Sequence, residues 1–202
     1  MELDRLCDAF AAAFARADAL RPVWTSRTGR IYQPGLGPHA EDAAVALVLH
    51  ELRRDPAMET IEFGQFLPYP ESARQRCDLW IGKPVEWAVE VKMARFRGDN
   101  GKPDDTSLKD LLSPYESDRS ALTDCLKLAR AGFLSRCAVL IYGFDYEDRP
   151  LEPAIAAFEI LAQARVNLGR RVQRDMGRLV HPVHTSGTLF AWEIGPTPRS
   201  DP

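Results

Sequence analysis

Asp78, Glu90 and Lys92 are charged residues set in apolar surroundings, within the stretch Arg76-Cys77-Asp78-Leu79-Trp80-Ile81-Gly82-Lys83-Pro84-Val85-Glu86-Trp87-Ala88-Val89-Glu90-Val91-Lys92. Two runs of β-branched, aromatic and aliphatic residues flank Gly82-Lys83-Pro84, a turn signal, and together predict a β-hairpin. Side chains alternate faces along a strand, so Glu90 and Lys92 share one face while Trp87, Val89 and Val91 take the other. A loop made of Gly82, Lys83 and Pro84 pairs Ile81 with Val85 and sets Asp78 opposite Ala88, with Glu90 its diagonal neighbour at roughly 7–8 Å between backbones. A two-residue loop would send Asp78 to the opposite face. Two carboxylates so placed can hold one hard cation, with an ammonium beside it.

The elements that must position these residues follow in order. Residues 2–20 carry Leu3, Leu6, Phe10, Ala13, Phe14 and Ala17 at helical spacing and read as an amphipathic helix, a lid or a dimer element. Residues 21–38, punctuated by Gly and Pro, read as an irregular crossing. A second helix over 39–54 ends at Asp55-Pro56. On it Glu41 lies about 30° from the centre of the apolar stripe and Glu51 about 110° away, so Glu41 points toward the sheet. The run from Ile61 to Tyr69 is a strand, 106–114 a short helix, and 117–132 a firmer one with Leu122, Cys125, Leu126 and Ala129 inward. Asp124 and Lys127 read as exposed polar residues on it. Cys137 to Phe144 is an almost continuous apolar run, as a central strand covered on both faces requires. Residues 151–176 are helical by periodicity, with Gly169 the place for a break, and Leu179–Val183 with Thr188–Ile194 form a second hairpin through residues 184–187.

Asp, a gap across a hairpin, then Glu-x-Lys resembles the core motif of the PD-(D/E)xK phosphodiesterase superfamily, which includes many restriction and repair nucleases. Cys77 stands where the family name has Pro. The resemblance implies an α/β fold with a restriction-endonuclease-like core in the order α-β-β-β-α-β, a mixed central sheet flanked by helices, to which this chain adds an N-terminal helix and a C-terminal β-hairpin. The order of hairpin, helix and buried strand agrees with it. The activity implied is metal-dependent hydrolysis of nucleic-acid phosphodiester bonds, with DNA the expected substrate and Mg²⁺ the cofactor, for which Mn²⁺ can substitute. The ligands would be Asp78, Glu90, the backbone carbonyl of Val91 and a helix carboxylate, Glu41 or Glu51, with Glu41 the better placed. Lys92 would orient or help deprotonate the attacking water and balance phosphate charge. An alternative keeps the fold without catalysis, as a nucleic-acid or protein-binding module; a surface ion pair of Glu90 with Lys92 on a solvated sheet face is the plain structural rival.

Candidate nucleic-acid contacts are Arg95 and Arg97, on the loop that leaves the second hairpin strand, and the run Arg165, Arg170, Arg171, Arg174 and Arg178, which meets a single acid in Asp175. With 202 residues, 45% of them hydrophobic, the chain suits one domain over 1–202: an N-terminal portion 1–38, a catalytic core 39–150, and a basic helix with hairpin over 151–202. A net charge of −3 excludes a protein that coats nucleic acid by bulk charge. Four Cys without a C-x-x-C pair indicate reduced, buried thiols rather than zinc or disulfides. His181 and His184, isolated from carboxylates in sequence, give no case for a metal site. The G-x-S-x-G, G-x-G-x-x-G and Walker motifs are absent, so Ser-hydrolase and nucleotide-fold readings lack their motifs, and a glycosidase reading has none either. No signal peptide or membrane span is expected, the expected location is cytoplasmic, and a homodimer is compatible with the chain.

Overall fold

A computed structural model of the protein describes residues 1–196; the end of the C-terminal portion, 197–202, lies outside the described residues. Helix α1 (Leu3–Ala19) buries Leu6, Phe10 and Phe14 at helical spacing, and α2 (Glu41–Leu52) buries Val45, Val48, Leu49 and Leu52. Both pack on one face of a mixed, seven-stranded sheet. The sheet begins with β1 (Phe63–Tyr69), β2 (Ser72–Ile81) and β3 (Trp87–Ala94), an antiparallel meander. After α3 (Thr106–Leu112) and α4 (Ala121–Arg130), β4 (Arg136–Phe144) runs parallel to β3 in a continuous ladder from Trp87↔Arg136 to Ala94↔Gly143. Helix α5 (Glu152–Gln163) and strands β5 (Asn167–Leu168), β6 (Val172–Arg178) and β7 (Ser186–Gly195) complete the chain, with sheet order β1-β2-β3-β4-β7-β5 and β6 also on β7.

The sheet is the middle of three layers. Trp87, Val89, Val91, Leu140 and Tyr142 face α1 and α2, while Ala88, Val139, Ile141, Phe190 and Trp192 face α4 and α5. Burial on both faces explains why the β4 sequence is apolar throughout rather than alternating. The coarse expectation of an α/β fold, a mixed sheet with helices on it, holds. The apolar face of α1 packs inside the chain, against α2, β6 and β7, as expected of a helix on the core. Among the described residues no helix is long and apolar enough to cross a membrane.

Three local expectations are corrected. The β2–β3 loop spans residues 82–86, so Ile81 pairs with Trp87 and not with Val85. The ladder is thereby moved by two residues, which keeps Leu79 and Ile81 on the face opposite to that of Asp78, as expected, whereas Cys77 beyond the ladder changes face. The predicted helix over 151–176 stops at Gln163: Gly169 packs against the backbone of Glu193, and residues 172–178 form β6. The apolar Leu168 and Val172 that looked like another helical turn belong to strands. The C-terminal hairpin is accordingly β6–β7, and residues 179–183, expected to be a strand, belong to its connection, 179–185.

Candidate active site

The β2–β3 ladder ends at Leu79↔Val89, one step short of Asp78 and Glu90. Beyond it the strands splay, and a cleft of about 720 Å³ opens between β2 and α4. A second irregularity helps. The β1–β2 pairing skips Phe66, whose φ of 64° is left-handed, at the place opposite Asp78. Across that break Cys77 joins the core on the α4 side whereas Leu79 and Ile81 join the other. A ladder break of this kind re-aims the neighbouring side chain, and Asp78 lines the cleft.

Asp78 accepts a hydrogen bond of 2.8 Å from the Val91 amide, which ties the first carboxylate to the second strand. Its carboxyl shares the cleft with that of Glu90. Glu90 is 3% exposed, accepts from the Tyr69 hydroxyl, and meets the Lys127 ammonium at 3.0 Å. Glu41 opens α2, where it accepts from the Met93 amide and stands 3.8 Å from the Lys92 ammonium. Glu51, the other helix candidate, is buried and paired with Arg54. Glu41 is therefore the helix carboxylate at this cleft.

Asp124 is the residue that sequence reasoning placed wrongly. It is 1% exposed, with one oxygen 3.0 Å from Lys92 and the other 2.7 Å from Lys127. A signal existed: Asp124 is three residues after Ala121 and four before Leu128, so it lies on the buried stripe of α4. Tyr69 gave no such signal, because only the β1–β2 turn brings it to Glu90.

Four carboxylates (Glu41, Asp78, Glu90, Asp124) thus share a space with two ammonium groups, Lys92 and Lys127. Burial, and then the charge of Asp78, push Glu90 up to about 7. Burial pushes Glu41 up to about 7 against the pull of Lys92. Asp78 and Asp124 are also raised, burial again the first cause. Burial would depress the Lys92 ammonium, but Glu41 and Asp124 outweigh it and hold its pKa above the usual lysine value. Lys92 is therefore a fixed cation here and not a proton acceptor. Once all four are ionised the carboxylates outnumber the two ammonium groups by two, and all their donors are hard oxygens, a set that suits a divalent cation such as Mg²⁺ or Mn²⁺.

No protein-family model, curated protein or solved structure matches this chain.

Of the arginines expected to meet nucleic acid, Arg95 lines a smaller pocket shared with Glu41 and Lys92, and the others line neither space. Arg95 donates to the Gly37 carbonyl and lies 3.5 Å from Asp99; Arg97 is engaged by the Gly101 carbonyl and Asp148. Arg170 and Arg174 pair with Asp4 and Asp8 of α1, and Arg171 with Glu152 and Glu159 of α5. This corrects the picture of a free basic helix face: Arg174 lies on β6, Arg170 and Arg171 just before it, and acids from both flanking layers meet their charge. The exposed arginines of the cleft are instead Arg74, Arg76, Arg119 and Arg130.

His181 and His184 do meet a carboxylate, Asp99, which the chain brings from a distant loop. His184 bonds Asp99 through Nε2 at 3.2 Å and the Tyr146 hydroxyl through Nδ1 at 2.7 Å. His181 Nδ1 accepts from the amides of Val183 and His184. The two rings stack at 4.5 Å with an 18° interplanar angle, so their in-plane lone pairs run nearly parallel and do not converge on one ion. The cluster works as a clasp that fastens the loop after β3 to the β6–β7 connection.

Proposed function

We propose that the protein is a divalent-metal-dependent nuclease that hydrolyses phosphodiester bonds of nucleic acid, DNA being the expected substrate. The observation that carries this reading is the meeting of Asp78, Glu90 and Lys92, with Glu41, at the splayed end of β2 and β3 inside a cleft. The succession α2, β1, β2, β3, α4, β4 is the order that a restriction-endonuclease-like core requires, which supports the same reading.

Asp78, Glu90 and the Val91 carbonyl would hold Mg²⁺, with Glu41 as a further ligand or through water. The bound cation would supply charge for the phosphate and acidity for a water. The remaining roles belong to the chain. Lys92, kept protonated by Glu41 and Asp124, neutralises a phosphate oxygen and orients the attacking water. Glu41, held at the cleft by the Met93 amide and beside Lys92, would take a proton from that water when it reaches the cation through water. Tyr69 and Lys127 fix the Glu90 carboxylate in one orientation.

Cleavage of plasmid, linear duplex and single-stranded DNA with Mg²⁺ or Mn²⁺ tests the proposal. Asp78→Asn and Lys92→Ala are each expected to lower the rate by about 10²–10³-fold, the usual loss on removing one group that meets developing charge. Cutting that survives both substitutions would overturn the assignment. Nucleic-acid binding without cleavage or metal binding would favour the inactive binding module.

A further inference from the structure

The cleft is not symmetric about Lys92. On the side of β2 and α4 its rim carries Arg74, Arg76 and Arg130, all exposed, and among the described residues none of them pairs with a carboxylate; Glu71 and Glu116 are the acids of that rim. On the other side of Lys92 and Glu41 a smaller pocket of about 380 Å³ continues the groove, lined by Asp104, Asp110 and Asp118. Asp118 is met by Lys109 at 3.0 Å, and the one arginine peculiar to this pocket, Arg95, is engaged by the Gly37 carbonyl. Arg119 stands where the two spaces join.

The wall of the small pocket is also fastened. The loop from Phe96 to Asp105 is held by Arg97 on Asp148, by Arg149 on Asp105 and by the Asp99–His184 bond. A polyanion can therefore lie along the arginine rim up to Lys92, but its next phosphates would meet Asp104, at the end of the pinned loop, and Asp110 of α3, Asp118 being answered by Lys109. Like charges brought together in this way disfavour that path. The small pocket has the volume of a small-molecule site, room for an uncharged base and sugar.

We infer that the site engages nucleic acid from one side only and cleaves at or near a chain terminus, with the body of the strand on Arg74, Arg76 and Arg130 and the terminal nucleoside in the pocket of Asp104 and Asp110. This rests on the nuclease reading and narrows its substrate to polynucleotides with a free end. The product released is the terminal nucleoside or its monophosphate, according to which P–O bond of the scissile phosphate is cut.

The test compares closed circular and linear forms of one sequence, as single strand and as relaxed duplex, with Mn²⁺. Linear forms are expected to be shortened from an end, and circles to be cut at least about tenfold more slowly. Asp104→Asn with Asp110→Asn, both on the surface of the pocket, is expected to raise cutting of circles toward that of linear strands. Arg74→Ala with Arg130→Ala is expected to raise KM several-fold while kcat holds, and to reduce the salt slope of binding by about two. Circles cut as fast as linear strands by the wild type would overturn the end-directed inference and leave the nuclease standing. No metal-dependent cutting of either form would overturn the nuclease reading itself.

Discussion

Asp124 answers the charge of two lysines at once, and it does so where water scarcely reaches. Removing one member of a buried charged group costs more than the pair contributed, because the remaining ion stays buried. Asp124→Ala should therefore destabilise the fold by about 3 kcal/mol, measured by urea unfolding, whereas Asp124→Asn, which keeps the volume and a hydrogen-bond acceptor, should cost less. Cleavage is expected to fall in both variants while calorimetric Mn²⁺ binding persists, since Asp124 positions Lys92 and does not belong to the proposed ligands. Loss of Mn²⁺ binding in Asp124→Asn would move this residue into the metal shell. Glu90→Gln makes the converse case. It deletes a charge that burial disfavours, so the metal-free protein should gain stability at pH 8 even as Mn²⁺ affinity drops.

At the scale of elements, the β2–β3 connection shows which features a sequence can dictate. The strand runs and the turn signal give the hairpin, and the period of two gives the shared face of Glu90 and Lys92. Loop length was not legible, because Val85 and Glu86 are ordinary strand residues and only the Glu86 amide on the Ile81 carbonyl and the Gly82 amide on the Glu62 carbonyl assign them to the turn. The face of Asp78 survived because the difference was even. Gly82 sits at φ 92°, and a Cβ there would meet the Glu86 side chain at 2.8 Å. Gly82→Ala is expected to lower stability by about 1–3 kcal/mol by the urea midpoint, and to lower cleavage through the loosened hairpin. The misread segment was β6. Its arginines and apolar residues fit a 3.6 period as well as they fit a strand, and the partners that decide the matter, Asp4 and Asp8 of α1 and residues of β7, lie far away in sequence. Asp99 with His184, and Tyr69 with Glu90, were hidden for the same reason: tertiary pairing alone joins them.

For the molecule as a whole, the raised carboxyls make stability depend on pH in a defined direction. Glu41 and Glu90 bind a proton more tightly in the fold, at about 7, than in the unfolded chain. Their contribution is therefore fully present below the usual carboxylate pKa and is lost as pH rises toward 7. The metal-free protein should lose on the order of 2 kcal/mol between pH 5 and pH 8 from this site. A bound divalent cation replaces those protons. Mn²⁺ should then raise Tm more at pH 8 than at pH 5.5, and calorimetry in buffers of different ionisation heat should show proton release near pH 6.5. A Tm increment equal at both pH values would mean that the cation binds elsewhere.

Strand β7 gives the molecule a temporal property as well. It lies between β4 and the pair β5 and β6, and it covers β4 along the whole ladder from Cys137↔Ile194 to Phe144↔Gly187. Chain synthesis delivers Glu41, Asp78, Glu90, Lys92 and Asp124 well before it delivers this strand. Until then the most apolar strand of the sheet presents an open edge, the template on which chains pair with one another. A nascent chain halted before residue 186 would therefore hold every proposed catalytic residue and still be prone to aggregate, so the yield of active protein is governed by how soon β7 arrives.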